Sequence, residues 1–292
     1  MEKQTYHRPE EIKRVVPMAS GRELALSRPL VMGILNVTPD SFSDGGRYES
    51  PEAAVEHARR MIGDGADIID VGGESTRPGA EAVPAEDEIA RVIPVIQAIR
   101  AESEVFISVD TYKSAVADAA IDAGADIIND ISALRFDEDM AAVVTLRKVP
   151  LILMHMLGTP RDMQVNPEYD DCIAEIGGFF AERIEYCRKR GIDKSKLILD
   201  PGIGFGKRLH DNLEILANLP FFYEFNLPIL IGASRKSFIG MLHDKDEPAD
   251  RRLGGSIAAA VIAVAHGASI VRVHDVAPTV EALKVLQAIG EM

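Results

Sequence analysis

Asp200-Pro201-Gly202-Ile203-Gly204-Phe205-Gly206-Lys207 follows directly on the apolar run Leu197 to Leu199, and Gly232-Ala233-Ser234-Arg235-Lys236-Ser237 follows on Pro228 to Ile231. Each apolar run is short enough to be a buried strand. Each ends abruptly in glycines and charges. A carboxylate, a phenyl ring, an ammonium and hydroxyls are thereby gathered at the carboxyl ends of neighbouring strands, where α/β proteins place their chemistry.

The same rhythm extends in both directions. From Leu30 onward, LVMGILNV, DIIDVGG, VFISVD, DIINDIS, PLILMHM, KLILDPG, PILIGAS and SIVRVHD read as strands. Between and after them lie helical stretches. SPEAAVEHARRMIGDG has Ser50 as N-cap and Pro51 at the first helical position. PAEDEIARVIPVIQAIRAES carries acidic residues in its first turn, where they suit the helix dipole. YKSAVADAAIDAG, DEDMAAVVTLRK, DDCIAEIGGFFAERIEYCRKRG, LHDNLEILANLPFFYEF, RRLGGSIAAAVIAVAHG and PTVEALKVLQAIG complete the series. Eight strands alternating with eight helices predict a parallel sheet closed into a single (β/α)8 TIM barrel. An open doubly wound sheet is the alternative, but it predicts one polar crevice, whereas nearly every strand here ends in polar residues. Gly65-Ala66-Asp67-Ile68-Ile69, Gly124-Ala125-Asp126-Ile127-Ile128 and Gly267-Ala268-Ser269-Ile270-Val271 repeat one helix-stop-to-strand pattern. Residues 1–28 are expected to be an N-terminal extension and 29–292 the barrel. Within the extension, Val15 to Met18 and Leu24 to Leu26 flank Ser20-Gly21 and read as a small hairpin that plugs the amino-terminal end.

With 292 residues the chain is long enough to bury a large core, and 47% hydrophobic residues with only 5% aromatic ones and no Trp predict an aliphatic one. The net charge of −14 disfavours nucleic acid and anionic membrane as partners. It leaves room for an anionic small molecule wherever Lys and Arg cluster locally. Cys172 and Cys187, the only two cysteines, fall in one helical stretch too far apart for a disulfide and are expected to be reduced. No apolar run is long enough to span a bilayer, and the first residues have no apolar signal segment. A cytoplasmic location is expected.

The strand ends divide by chemistry. Asp110, Asn129 and Asp200 supply carboxylates and an amide, suited to a flat heterocycle with several N–H groups and a carbonyl. Asn36, Thr76, Arg77, Arg272 and His274 form a cationic and hydroxylic set, suited to phosphate or pyrophosphate. Ser108 and Asp110 share a strand face, as do Arg272 and His274. Lys236 lies between Asp200 and Arg272 and is expected to touch both halves. Taken singly, a buried Asp is as well explained by a structural ion pair, Thr76-Arg77-Pro78-Gly79 by an ordinary turn, and Met154 or Phe205 by packing. Three acidic or amide groups at barrel strand ends argue for function together. Gly202 to Lys207 fails the phosphate-loop pattern: it is one residue short, and Arg208 stands where Ser or Thr is needed. There is no Ser-His-Asp order and no His-x-x-x-His metal pair.

Met32 through Gly46, Asp70 through Gly79, Ser108-Val109-Asp110-Thr111, Asn129-Asp130, Asp200 through Lys207, Gly232 through Phe238 and Arg272-Val273-His274-Asp275 together resemble the dihydropteroate synthase family, from about Leu30 to the end of the chain. The resemblance implies a folate-pathway transferase of a family that is a sulfonamide target. Such an enzyme joins 6-hydroxymethyl-7,8-dihydropterin pyrophosphate to p-aminobenzoate and releases pyrophosphate. It implies that Asp110, Asn129, Ile131, Met154, Asp200, Gly232 and Lys236 hold the pterin. Asn36, Thr76, Arg77, Arg272 and His274 would hold pyrophosphate, with Asn36 also meeting Mg2+. Thr76, Pro78, Phe205, Lys236, Ser237 and Phe42 would border p-aminobenzoate. Asp110, Asp200, Lys236 and Asp40 are the implied catalytic groups, the loops after the first two barrel strands are expected to close over pyrophosphate, and a homodimer through outer helices is implied. Two other readings share the pterin-facing residues: a methyltetrahydrofolate-dependent methyltransferase and a non-catalytic pterin-binding protein. Neither needs the cluster around Arg272, His274 and Ser234 to Ser237.

Overall fold

A computed structural model describes residues 15–38, 51–75, 79–80, 82–243 and 247–290. The chain enters as an antiparallel hairpin, β1 (Val15–Pro17) and β2 (Glu23–Ala25), with Val16 opposite Leu24. Strand and helix then alternate: β3 (Leu30–Asn36), α1 (Pro51–Gly63), β4 (Ile68–Gly72), α2 (Ala85–Glu102), β5 (Phe106–Asp110), α3 (Ser114–Ala123), β6 (Ile127–Asp130), α4 (Met140–Arg147) and β7 (Leu151–Met154). They continue with α5 (Cys172–Lys189), β8 (Leu197–Asp200), α6 (Leu209–Ala217), β9 (Leu230–Ile231), α7 (Ser237–Gly240), α8 (Leu253–Ala265), β10 (Ile270–Val273) and α9 (Val276–Gly290).

The strands β3 to β10 pair in parallel in the order β8-β7-β6-β5-β4-β3-β10-β9. The outer members of that order, β8 and β9, meet through the bridge Leu199↔Ile229, where the Leu199 N–H donates to the Pro228 carbonyl at 2.9 Å. The sheet is therefore a closed (β/α)8 barrel, as the strict alternation requires. Two details depart from the expected pattern. The helix after β8 stops at Ala217 and gives way to a 3-10 segment, Leu219–Phe225, because Pro220 has no N–H to continue the ladder. A one-turn helix, α7, follows β9; four residues are too few for hydrophobic periodicity to mark.

Side chains alternate across each strand. One set, including Val31, Leu35, Ile69, Val71, Ile107, Val109 and Ile128, packs outward against the helices. The other faces the barrel axis. At the amino end it is wholly apolar: Met32, Ile68, Ile127, Ile152, Ile198, Leu230 and Ile270 pack with Val16, Met18, Leu24 and Leu26 of the hairpin. The hairpin thus closes the bottom of the barrel. Arg22 fastens it, donating to Glu104 Oε2 at 2.9 Å and to both Asp126 carboxylate oxygens at 3.2 Å.

The repeated Gly-Ala-polar motif has a local cause. Gly65, Gly124 and Gly267 end their helices at φ of 99, 114 and 95°, a conformation costly for any residue with a Cβ. Two residues on, the Asp side chains seal the neighbouring strand: Asp67 Oδ2 accepts from Val31 N at 2.9 Å and Asp126 Oδ2 from Ile107 N at 3.0 Å. At Gly267 a Cβ would also overlap the Tyr223 hydroxyl, which donates to the His266 carbonyl at 2.6 Å. Gly267→Ala is expected to cost about 2–4 kcal/mol, from left-handed strain together with a lost or displaced hydrogen bond. Urea unfolding measures this; a loss below ~1 kcal/mol contradicts the stated cause.

Candidate active site

Moving toward the carboxyl ends, the interior changes from aliphatic to polar. Asp70, Ser108, Asn129, Asp200 and Arg272 point inward, with Asn36, Asp110, Ser234 and His274 one step nearer the mouth on the same faces. Register brings them together: Asp70 lies beside Ser108, Asp110 beside Asn129, and Met154 beside Asp200.

Arg272 occupies the centre. Its Nε donates to Asp70 Oδ2 at 2.6 Å and its Nη2 to Asp110 Oδ2 at 2.6 Å. Asn129 Nδ2 donates to the same Asp70 oxygen at 3.1 Å. Asp70 is fully buried and Asp110 nearly so. Burial pulls the guanidinium down, but Asp70 and Asp110 outweigh it and hold its pKa above the usual value. Burial pushes the Asp110 carboxyl up, with Arg272 opposing. Three acceptor atoms in this layer, Asp70 Oδ1, Ser108 Oγ and Asp110 Oδ1, are buried with no hydrogen-bond partner among the described residues. Unsatisfied buried acceptors are uncommon and costly, and here they converge where a ring bearing N–H groups would satisfy them.

The separation into an acidic half and a cationic half does not hold at strand 8 of the barrel. Arg272 is locked into the acidic layer, because a guanidinium on the middle inward position of β10 reaches across to the carboxylates of β4 and β5. His274 does stand apart from it: its backbone N–H donates to Ser234 Oγ at 3.2 Å and its Nδ1 lies 3.1 Å from the same hydroxyl. Arg235, at φ 58°, makes a two-pronged pair with Asp275 at 2.9 and 2.6 Å, fastening the loop after β9 to the loop after β10.

Asp200 closes the other side. Its Oδ1 accepts from Gly202 N at 2.7 Å. Burial pushes its carboxyl up, opposed first by Lys236. Lys236 donates to the Ile203 carbonyl and its Nζ stands 4.3 Å above the Phe205 ring centre. Burial lowers the Lys236 pKa to about 8, with Asp200 working against the fall. Beside these groups lies an apolar wall of Ile131, Met154, Met156 and Met163, with Tyr112 and Phe205 packed on it. Gly232 leaves room next to Arg272, whose Cβ and Cδ would lie 3.8 Å from an added Cβ. Ser237 is exposed at the start of α7. Of the residues singled out in the sequence, Asp40, Phe42, Thr76, Arg77 and Pro78 lie outside the described residues, as do Ser50 and most of the loop after β3.

The sequence was compared with known proteins. A family model described as pterin binding enzyme matches residues 32–274. The dihydropteroate synthase of Escherichia coli (strain K12) is 54% identical over 270 residues, covering 92% of this chain and 95% of that one. The chain belongs to the dihydropteroate synthase family. A structure titled as Xanthomonas albilineans dihydropteroate synthase with 4-aminobenzoic acid superposes with a TM-score of 0.89 at 50% identity, covering 95% of this chain and 99% of that chain. Another, titled as the Xanthomonas albilineans enzyme in complex with 7,8-dihydropteroate, gives 0.85 at 47% identity, covering 94% and 100%. A Yersinia pestis dihydropteroate synthase titled as a sulfonamide drug complex gives 0.89 at 49% identity over 93% of this chain and 98% of that one.

Membership in the dihydropteroate synthase family takes weight from the methyltransferase alternative. The structure brings forward two residues that sequence reasoning left without a role, Asp70 and Ser108. Both were visible at strand ends, and a carboxylate between Ile68-Ile69 and Val71 is itself a signal. Asp130, by contrast, is structural: its oxygens accept from Ser132 N at 2.8 Å and Leu134 N at 2.7 Å, holding a turn in which Ala133 and Leu134 take φ of 51 and 65°. Glu74 lies beside the mouth as an anchor, accepting from Tyr112 Oη at 2.8 Å, from Val83 N at 3.1 Å and from Lys113. Among the described residues no helix is long and apolar enough to cross a membrane. Both cysteines are free and buried, and burial pushes each thiol up to about 12.

Asn36 is the residue of the described mouth that the family resemblance assigns to a divalent cation. Asn36 is half-buried at the end of β3, beside Gly72, where an added Cβ would only touch Asn36 Oδ1 at 3.8 Å and Asp110 Cβ at 3.4 Å. One neutral amide oxygen fits Mg2+, which takes most of its ligands from water and substrate phosphates.

Proposed function

We propose that this chain condenses 6-hydroxymethyl-7,8-dihydropterin pyrophosphate with p-aminobenzoate to give 7,8-dihydropteroate and pyrophosphate. The observation that carries this is the inward polar layer, with Asp70, Ser108 and Asp110 each offering an unpartnered acceptor beside Asn129 and Asp200. A pterin ring donates several N–H groups from one edge, and its faces suit the wall of Ile131, Met154 and Met156. Gly232 provides the room that a planar ring needs near Arg272.

The bond to be broken joins the exocyclic carbon to the pyrophosphate oxygen. The ring conjugates with that carbon and can carry positive charge there, so departure can run ahead of attack. Asp110 and Asp200 stabilise the cation electrostatically. On this reading His274, Arg272, Thr76 and Arg77 would hold the departing pyrophosphate. Asn36 would hold a Mg2+ ion that, when bound, neutralises charge on the leaving group. The aryl amine, held beside Phe205 and Lys236, bonds to the exocyclic carbon and then loses a proton. It needs positioning more than a strong base, which is why no nucleophile–base pair is required. In this reading Phe42, Pro78 and Ser237 belong to the p-aminobenzoate side and Asp40 to the catalytic set.

The same reading places the enzyme in the cytoplasm as a homodimer. Met241 and Leu242 after α7, Leu253 and Ile262 on α8, and Val285 and Ile289 on α9 are exposed apolar residues on the outer helices that support the pairing. Purified protein with Mg2+, the pterin pyrophosphate and p-aminobenzoate should release pyrophosphate and dihydropteroate in equal amounts. Pterin binding without either product would overturn the reading.

A further inference from the structure

Lys207 is the one charged residue of the stretch Asp200 to Lys207 left without a role by the chemistry above. It is buried, and its Nζ lies 2.9 Å from His155 Nδ1, 3.1 Å from the Phe205 carbonyl and 3.4 Å from the His155 carbonyl. Three acceptors match the three donors of an ammonium. Burial draws the Lys207 pKa down to about 7, while Cys172, Asp200 and Asp211 work against that pull and Lys236 adds to it. His155 is buried too, and burial, Lys207 and Arg135 hold its ring neutral. Its imidazole meets Phe179 edge-on at 4.8 Å, so the acceptor nitrogen is held in place.

The loop between Gly202 and Lys207 is built around such fastenings. Gly202, Gly204 and Gly206 take φ of 70, 81 and 64°, which turns successive carbonyls outward. The Ile203 carbonyl accepts from Lys236, that of Gly204 from Gln164 at 2.7 Å, that of Phe205 from Lys207 at 3.1 Å and that of Gly206 from Tyr169 at 2.8 Å. Lys207 is the buried member of this set that grips the carbonyl of Phe205 itself, and its other contacts all go to His155, immediately after β7. There is no room for slack at the loop's start, since a Cβ on Gly202 would overlap the His155 carbonyl.

We propose that Lys207 is a positioning residue: its ammonium staples the loop after β8 to the end of β7 and so fixes the Phe205 ring that orders the aryl amine. The inference rests on the transferase reading, under which Phe205 borders p-aminobenzoate. It assigns Lys207 chiefly to the second substrate, because its hydrogen bonds go to His155 and Phe205 and none goes to the pterin-facing carboxylates on β4, β5 and β8.

Lys207→Met removes all three donors and keeps the apolar stem. In steady-state kinetics with both substrates varied, the KM for p-aminobenzoate should rise about tenfold or more, the effect expected of a misplaced contact. The KM for the pterin pyrophosphate should stay within about twofold. Both KM values unchanged, or both raised together, overturn the assignment. An unmodified enzyme that makes no dihydropteroate overturns the function instead. Should Lys207→Met fail to fold, 15N spectra of the intact wild-type chain decide, with His155 assigned by comparison with His155→Gln. The staple requires an unprotonated Nδ1 and a protonated Nε2 on His155; a protonated Nδ1 contradicts it.

Discussion

Arg272→Ala should lower kcat/KM for the pterin pyrophosphate by about three orders of magnitude and weaken the fold as well. Among the described residues the guanidinium is the hydrogen-bond partner of Asp110 Oδ2, and it shares Asp70 Oδ2 with Asn129. Removing one member of a buried ion pair costs roughly 3–5 kcal/mol, most of it from the charge left behind. The variant loses a cation that faces the leaving group, and it loses the group that keeps the acceptor layer in register. The pH dependence has a definite sign. Burial already pushes the Asp110 carboxyl up, and without Arg272 it rises further. A carboxyl whose folded pKa exceeds its unfolded value favours the folded state at low pH, and this advantage disappears as pH rises through the interval between the two values. Below the wild-type Asp110 pKa of about 7 both proteins lose this advantage alike, so between pH 5 and pH 8 the stability deficit of Arg272→Ala should widen as pH passes about 7. Thermal unfolding across that range checks it; a deficit that shrinks with pH would contradict the pairing.

Lys236→Ala should reduce kcat by about 10²–10³, in the range seen when a preorganised electrostatic contact is removed. Its ammonium donates to the Ile203 carbonyl, lies over the Phe205 ring and is the main charge opposing the effect of burial on the Asp200 carboxyl. One substitution therefore frees the loop, unpins the ring and leaves Asp200 closer to neutral just where it should stabilise a cation. Lys236 also has a depressed pKa of about 8, so the ammonium is lost as pH rises through that value. The alkaline limb of kcat should bend near pH 8 in the wild type and be missing in Lys236→Arg, since guanidinium does not deprotonate in this range. Retention of the same limb in Lys236→Arg would assign it to another group.

The barrel was legible because its signals are repeated. Eight apolar runs, each ending in polar residues, leave few architectures open, and the Gly-Ala-polar echo marks three helix-to-strand junctions with one stereochemical solution. The inward faces at Asp110, Asn129, Asp200 and Arg272 followed from strand parity alone. What parity does not reveal is reach. A guanidinium extends far enough to cross from β10 to β4 and β5, so Arg272 joined the acidic layer although strand order set it among the cations. Asp70 was passed over for a related reason: it sits one layer below the strand tip, and its value appears only once Ser108, Asn129 and Arg272 surround it. Lys207 carried a tempting phosphate-loop echo in sequence. Its three acceptors come from the main chain and from His155, which no local pattern connects with it.

The central claim is that the polar layer inside the barrel reads the pterin through its unpartnered acceptors. Calorimetric titration of a bare 6-hydroxymethylpterin, without pyrophosphate, into wild-type protein and Asp110→Asn addresses it directly. The substitution replaces an acceptor oxygen by an amide N–H that opposes the ring's own donors, and it weakens the pair with Arg272. Pterin Kd should rise at least about tenfold, equivalent to ~1.4 kcal/mol, with a smaller change in p-aminobenzoate affinity. Equal pterin affinity in the two proteins would contradict the account and move recognition of the ring away from this layer.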